Sequence, residues 1–247
     1  DINKCNWLKK DNNDILVIDM MLRIFRFALI FWAACSLFGC KDYCRSGIVE
    51  NKYKPRLLKL ATYSDPILRT KTKPVIFPLN EEDKNIIADM QYSIQPAQLK
   101  AANAPWEAAV GMAANQWGID KSIFLYCPTG DTVNGLEVII NPSYTMLNDT
   151  DSNSQDTEWE GCFSVPLATG NIKRSLKIKV KYQDEQGTTV EKELHGWPAR
   201  VWQHENDHLN GFLYDDHFAG KCLEKKTFNS IAEVDEFYDE IRNSRKN

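Results

Sequence analysis

This chain is poor in histidine and carries no excess of positive charge. Of its 247 residues four are histidine, and 30 Lys and Arg stand against 34 Asp and Glu, a net charge of −4. That balance leaves no electrostatic footprint for a phosphate backbone and argues against nucleic acid as a partner. The seven cysteines do not fall at paired spacings. Cys5, Cys35, Cys40 and Cys44 crowd the N-terminal segment, and only Cys127, Cys162 and Cys222 lie beyond it. This excludes a disulfide framework for the bulk of the chain. No apolar run reaches the ~20 residues of a comfortable membrane span, and no repeat period is visible. Nothing speaks to oligomeric state. What is present is apolar residue enough, 43%, for a full core at this length.

Two of the scarce histidines share one stretch, Gln203-His204-Glu205-Asn206-Asp207-His208-Leu209-Asn210-Gly211. It contains His-Glu-x-x-His. On an α-helix, residues i and i+4 lie on one face a turn apart, so His204 and His208 can close on one metal ion. Glu205 is placed to handle protons on a water activated there. A metal-free surface helix can carry the same pentapeptide by chance. Against that, the segment has helix-like ends, Pro198 in its first turn and Gly211 just past its last residue. Ala199, Val201 and Trp202 make it look packed rather than solvated.

A catalytic site of this type usually has three protein ligands and one open position. A metzincin would place a histidine at position 214, which is Tyr214, so that reading fails. A thermolysin-like metallopeptidase would take a downstream glutamate, and Glu224 and Glu233 are available. An upstream cysteine is the third option, and Glu160-Gly161-Cys162-Phe163-Ser164-Val165-Pro166 offers Cys162.

Three separated segments resemble peptide deformylase. The family pattern reads Gly-x-Gly-Leu-Ala-Ala-x-Gln, then Glu-Gly-Cys-Leu-Ser, then Gln-His-Glu-x-Asp-His-Leu-x-Gly. This chain has Ala109-Val110-Gly111-Met112-Ala113-Ala114-Asn115-Gln116, then Glu160 to Ser164, then Gln203 to Gly211, in the same order and at similar spacing. Coverage runs from about Arg56 to His217, with Asp65-Pro66-Ile67-Leu68-Arg69 also like the family's opening. The resemblance implies that Cys162, His204 and His208 hold one divalent metal ion, iron(II) or zinc, a choice that thiolate plus two imidazoles suits. It implies hydrolysis of the formyl group of an N-formylmethionyl peptide, with release of formate. Glu205 would take the proton of water and pass one to the leaving amine. The side-chain amide of Gln116 and the backbone N–H of Phe163 would donate to the oxyanion. Val110, Gly111, Met112 and Val201 would meet the peptide. Ala109 stands where the family has glycine, so a left-handed backbone there would be strained. Met112 and Phe163 replace leucines.

Plainer readings stand beside these. Cys162 could be an inert buried thiol, and Gln116 a polar residue at an element end. His195 and His217 have no partner by spacing. Arg174 resembles a family arginine that meets the substrate backbone, but reads better as a solvated strand residue. Asp149, Asp151, Asn153 and Glu160 match four positions of a calcium loop, yet Ser154 replaces its glycine and no helix pattern precedes them, so a polar loop is the better account. A catalytically silent metal-binding envelope protein with a deformylase fold is a second functional class. Glu205 and Gln116 count against it, because a silent binder needs neither.

The N-terminal segment differs from the rest. Met20 and Met21 precede Arg23 and Arg26, followed by the apolar run Phe27 to Gly39 and then Cys40. A basic start and an apolar stretch of ~7–15 residues fit a signal peptide. Leu37-Phe38-Gly39-Cys40 resembles a bacterial lipoprotein signal, which would place a lipid on Cys40 and the protein at the cell envelope. A short membrane anchor or an organelle transit sequence competes with this, and a cytoplasmic or organellar location with it. The expected organisation is an upstream extension over 1–19, a signal peptide or anchor over 20–39, a linker over 40–54 and a catalytic domain over 55–247.

Within that domain a helix is expected from the N-cap Asn80, with Ile86, Ile87, Met90 and Ile94 along one side. Gln95 to Glu107 reads as a long loop. Ser122 to Cys127 and Leu136 to Ile140 read as strands, and Leu176 to Tyr182 with Thr189 to Leu194 as a hairpin. Ser230-x-x-Glu233 is a capping-box pattern before an amphipathic C-terminal helix. The expected fold class is α+β: mixed or antiparallel strands around one central metal-binding helix, with a C-terminal helix, as the resemblance also implies.

Overall fold

A computed structural model of the chain describes residues 53–147, 154–216 and 222–244. The chain divides into two units, 1–52 and 53–247, and the described residues belong to the second. The signal, lipid and linker assignments up to residue 52, the loop residues Asp149, Asp151 and Asn153, and His217 lie outside the described residues. No helix among the described residues is long and apolar enough to cross a membrane.

The first helix, α1 (Glu81–Ser93), begins where its cap requires: Asn80 Oδ1 accepts the Asp83 N–H at 2.8 Å. Glu81, Glu82 and Asp83 fill its first turn, complementing the positive end of the helix dipole. Ile87, Met90 and Ile94 sink into the core. The expected loop over 95–107 is in part a helix, α2 (Pro96–Ala101). Pro96 fixes the first turn, and the buried Leu99 anchors the segment, so propensity and one apolar contact override the polar look of the stretch.

Five strands form the first sheet: β1 (Gly111–Ala113), β2 (Ile123–Tyr126), β3 (Glu137–Met146), β6 (Lys177–Gln183) and β7 (Thr189–His195), ordered β1-β2-β3-β6-β7. Three form the second: β4 (Gln155–Glu160), β5 (Ala168–Ser175) and β8 (Cys222–Thr227), ordered β4-β5-β8. The pairings within both are antiparallel, so the strands are not mixed. The strand expected to stop at Ile140 runs on through Pro142 to Met146. Pro cannot donate to a ladder, and the register shifts between Ile140 and Ser143 to accommodate it. Asn141, at φ 50°, turns its amide onto Val75, accepting the Val75 N–H at 2.8 Å and donating to the Val75 carbonyl at 2.9 Å. The β6–β7 hairpin pairs Gln183 with Thr189 and Lys177 with His195. Ile178, Val180 and Tyr182 face the core while Lys179 and Lys181 reach Glu191 on the solvent side.

Helix α3 (Gly196–Leu209) follows β7 directly. Pro198 sits in its first turn, where a missing N–H costs no helical hydrogen bond. Trp202, fully buried, packs edge-on against Phe124 at 4.9 Å and Tyr126 at 5.5 Å, with Tyr182 tilted at 5.4 Å. This cluster seats the helix on the first sheet. Gly211 ends it at φ 79°, and a Cβ there would meet the Arg69 carbonyl at 2.8 Å, so the position is closed to other residues. Helix α4 (Ile231–Ser244) closes the described chain. Ser230 Oγ accepts the Glu233 N–H at 3.3 Å, while Glu233 reaches back to the N–H of Asn229 rather than that of Ser230. The α+β class, antiparallel strands about a central helix and a C-terminal helix, is the architecture observed.

Candidate metal centre and catalytic cleft

Helix α3 carries His204 and His208 on the face turned toward the second sheet, and the turn after β4 brings Cys162 to them. His204 Nε2 lies 3.2 Å from His208 Nε2, and His208 Nε2 lies 3.2 Å from Cys162 Sγ. The three ligand atoms fall within 4.8 Å of one another. Ligands bound at ~2.0–2.3 Å in a tetrahedron stand about 3.5 Å apart, so the donors fit one ion of the zinc or iron(II) kind. The alternative third ligands are elsewhere: Glu224 is exposed on β8, and Glu233 is exposed at the start of α4. Tyr214 stacks on His204 at 6.1 Å and donates to the Ala168 carbonyl at 2.6 Å. His195 is exposed beside Glu193, away from the trio.

Glu160 organises one side of this centre. His204 Nδ1 lies 2.8 Å from Glu160 Oε2, which frees Nε2 for a metal, the outer partner expected of a ligating histidine. Arg174 grips the same carboxylate in bidentate fashion at 2.7 and 2.8 Å, and its Nη1 reaches Asp207 Oδ2 at 2.7 Å. Arg200 adds a contact to Glu160 at 2.6 Å and pairs with Asp156. Burial works to raise the Glu160 pKa, but Arg174 and His204 overcome it and hold the carboxyl well below the usual range. Burial likewise opposes charge on His204, yet Cys162 and Glu160 raise its pKa well above the ordinary imidazole value. His208, buried beside His204, is pushed well below it.

Glu205 is the opposite case. It is buried, and its Oε2 has no hydrogen-bond partner among the described residues. Burial pushes its pKa up to about 7, with nearby Glu160 adding to the rise and His204 and Arg174 opposing it. Its carboxylate fits only because residue 111 is glycine: a Cβ there would meet Glu205 Oε1 at 2.6 Å. Gln116 lies in a 3₁₀ turn (Ala114–Trp117) after β1. Its Oε1 accepts the Ala113 N–H at 2.8 Å, which orients the amide. Nε2 then faces Ser164 Oγ at 3.2 Å and Cys162 Sγ at 3.5 Å. Gln116 is therefore buried and aimed at the trio rather than an element-end residue. Phe163 is half-buried, its ring edge-on to Trp106 at 5.4 Å.

A cavity of about 360 Å³ has Cys162 and His204 on its wall, together with Val110, Gly111, Gln116, Phe163, Val201 and Glu205. Residues 57–224 match the family model described as polypeptide deformylase. The chain belongs to the polypeptide deformylase family. It is 36% identical over 178 residues to the peptide deformylase of Thermotoga maritima, covering 71% of this chain and 97% of that relative. The crystal structure of peptide deformylase from Thermotoga maritima superposes at a TM-score of 0.52 with 35% identity, over 64% of this chain and 95% of that one. A class I type b peptide deformylase from Acinetobacter baumannii, crystallised with Met-Ala-Ser bound, superposes at 0.52 with 30% identity, over 65% of this chain and 98% of that one.

Three expectations from the sequence change place in the fold. Ala109 carries no strain: the non-glycine residues at positive φ among those described are Asn103 and Asn141, and the Ala109 methyl is buried in the core. The Met112 side chain is likewise in the core, fully buried beneath the cleft rather than on its wall. Arg174 is not solvated. It is buried between Glu160 and Asp207 and is absent from the cavity lining, because β5 turns Ile172 and Arg174 inward together. Arg200, Trp197 and Tyr238 line the cleft without having been singled out in the sequence. Arg200 had a signal, since it lies four residues before His204 and so on the same helical face.

Proposed function

We propose that the chain removes the formyl group from N-formylmethionyl peptides at a centre formed by Cys162, His204 and His208. The observation that carries this reading is convergence: three ligand atoms lie within 4.8 Å of one another, and Cys162, His204, the Glu205 carboxylate and the oriented Gln116 amide stand on the wall of one cavity. Support for the peptide substrate comes from the family and from the Acinetobacter baumannii enzyme crystallised with Met-Ala-Ser.

When bound, a divalent cation supplies a Lewis acid that makes water a nucleophile near neutral pH. Glu205 takes the water's proton on Oε2, its free oxygen, and hands a proton to the departing amine. A pKa of about 7 without metal suits a group that both accepts and donates. The Gln116 amide, held by Ala113, donates to the carbonyl oxygen as charge develops, and the Phe163 N–H is its partner. Each such donor is worth ~3 kcal/mol of barrier. Val110 and Val201 line the apolar side where the methionine side chain lodges. Formate and a free amino terminus leave.

The test is direct. Protein stripped of metal and reloaded with iron(II) under anaerobic conditions, or with zinc, should release formate from formyl-Met-Ala-Ser, and the stripped protein should not. Cys162→Ala should lose stoichiometric metal. Full metal binding by that variant would refute the trio.

We further propose that the chain acts at a bacterial cell envelope, held by lipid on Cys40 after cleavage before it. This rests on the order of Arg23 and Arg26, the apolar run to Gly39 and then Cys40. Mass spectrometry of the native amino terminus should find a lipid-modified Cys40, and an unmodified thiol there would refute the proposal.

A further inference from the structure

The two histidines of the centre are not supported alike. His204 has its outer partner, Glu160, at Nδ1. His208 turns Nε2 toward Cys162 and His204. Its Nδ1 is buried and has no hydrogen-bond partner among the described residues. An imidazole that gives its Nε2 lone pair to a metal carries its proton on Nδ1, and a ligating histidine almost always donates that N–H to an acceptor. A buried donor left without one destabilises the fold.

A buried acceptor in the complementary position touches the same residue. Asn115 is fully buried in the 3₁₀ turn that also carries Gln116. Its Nδ2 donates to the His208 carbonyl at 2.6 Å and lies 3.5 Å from the Ile67 carbonyl. Both of those oxygens only accept, so the amide is fixed with Nδ2 toward them. Oδ1 is left as the spare acceptor, buried and without a partner among the described residues. Asn115 is absent from the wall of the catalytic cavity, so its place is behind the ligands rather than beside a peptide. It also fills the open position of Gly-x-Gly-Leu-Ala-Ala-x-Gln, to which the pattern gives no fixed residue.

We propose that Asn115 is the positioning residue of His208: Nδ2 holds the carbonyl of the ligand residue, and Oδ1 receives the Nδ1–H of the metal-bound ring through one ordered water. Buried waters join polar groups of this kind that no side chain reaches directly. The inference rests on the ligand trio proposed above. It gives each histidine an outer partner of its own, a carboxylate for His204 and a neutral amide for His208. It also makes the turn Ala114–Trp117 serve the centre twice, with Gln116 facing the cleft and Asn115 facing the end of α3.

The experiment is nuclear magnetic resonance on the full chain, labelled with 15N-histidine and loaded with zinc. With four histidines in the chain, the imidazole N–H signals are few enough to assign. Those of His204 and His208 should both be protected from exchange with solvent. Asn115→Leu keeps the size of the side chain and removes both polar atoms. It should make the His208 N–H exchange about tenfold faster, leave the His204 signal in place and weaken zinc affinity by about 10–100-fold. Asn115→Asp keeps an acceptor and gives it charge, so it should move the His208 signal downfield, as a charge-assisted hydrogen bond does. That shift decides the matter if Asn115→Leu fails to fold. Zinc uptake by the wild-type protein, with the His208 signal unmoved by either substitution, overturns the role of Asn115 and leaves the trio intact, even if thermal stability falls. Failure of the wild-type protein to take up zinc overturns both.

Discussion

Two buried carboxylates flank His204, and they live under opposite conditions. Glu160, on the side of the second sheet, meets two guanidinium groups and an imidazole and is held ionised far below the usual range. Glu205, on the side of the cleft, has an oxygen with no partner among the described residues and a pKa pushed up to about 7. The difference separates architecture from chemistry. A carboxylate that must orient a ligand is saturated with partners, so it cannot exchange protons. A carboxylate that must move protons is left under-satisfied, at a cost in stability that the rest of the fold offsets.

Substitutions can break this contrast from either side. The largest effect is expected on the cleft side. Glu205→Ala should keep its metal while turnover on a formyl peptide falls by ~10²–10⁴, and Gln116→Ala should lose ~10²–10³ with metal retained. Metal analysis and formate release on the same samples check both, and near wild-type turnover by the two variants would end the proposed roles. On the architectural side, Arg174→Met leaves Glu160 and Asp207 short of their bidentate partner. Loss of one member of a buried ion pair costs ~3–5 kcal/mol, and chemical denaturation should show it, together with metal affinity weaker by ~10–100-fold.

A smaller effect sharpens the comparison, because it has the reverse sign. In metal-stripped protein burial pushes the folded pKa of Glu205 up to about 7, above the ordinary carboxyl range. A raised folded pKa means that folding carries no penalty from this group below the unfolded value, and a penalty that grows to its full size as pH rises through the folded one. Glu205→Gln should therefore leave stability unchanged at pH 4 and increase it at pH 8, by a few kcal/mol at most. Thermal melts across that range check the sign. Equal stability of the two proteins at pH 8 would mean that Glu205 is not under-satisfied.

The two sides also differ in how legible they were. His204, Glu205 and His208 are neighbours on one helical turn, so spacing alone pairs them, and the Glu160-Gly161-Cys162 motif supplied the third ligand. The architectural side is held by contacts that spacing cannot express: Arg174 to Glu160 across 14 residues and Arg200 to Glu160 across 40. Arg174 read as a solvated strand residue, although it lies buried between Glu160 and Asp207. Secondary structure was misjudged where one residue outweighed its surroundings. Pro142 hid the second half of β3 behind a register shift, and Leu99 turned a polar loop into α2. Asn80, Ser230 and the β6–β7 alternation were readable because caps and two-residue periods are local signals.

The end of α3 has a consequence for the order in which this molecule assembles. Thr72 donates both its backbone N–H, at 2.9 Å, and its hydroxyl, at 3.1 Å, to the carbonyl of Leu209, 137 residues away. Asn115 donates to the His208 carbonyl at 2.6 Å. The last turn of the ligand-bearing helix is thus finished by segments from the start of the domain. Closing so long a loop costs on the order of 4 kcal/mol in chain entropy, and contacts of that span form late in folding. A chain leaving the ribosome has synthesised Cys162 and both histidines before the strap at Thr72 can close over the helix end. The helix end is therefore completed only once the chain has been made through residue 209, and a chain truncated before that residue lacks the carbonyl that Thr72 straps.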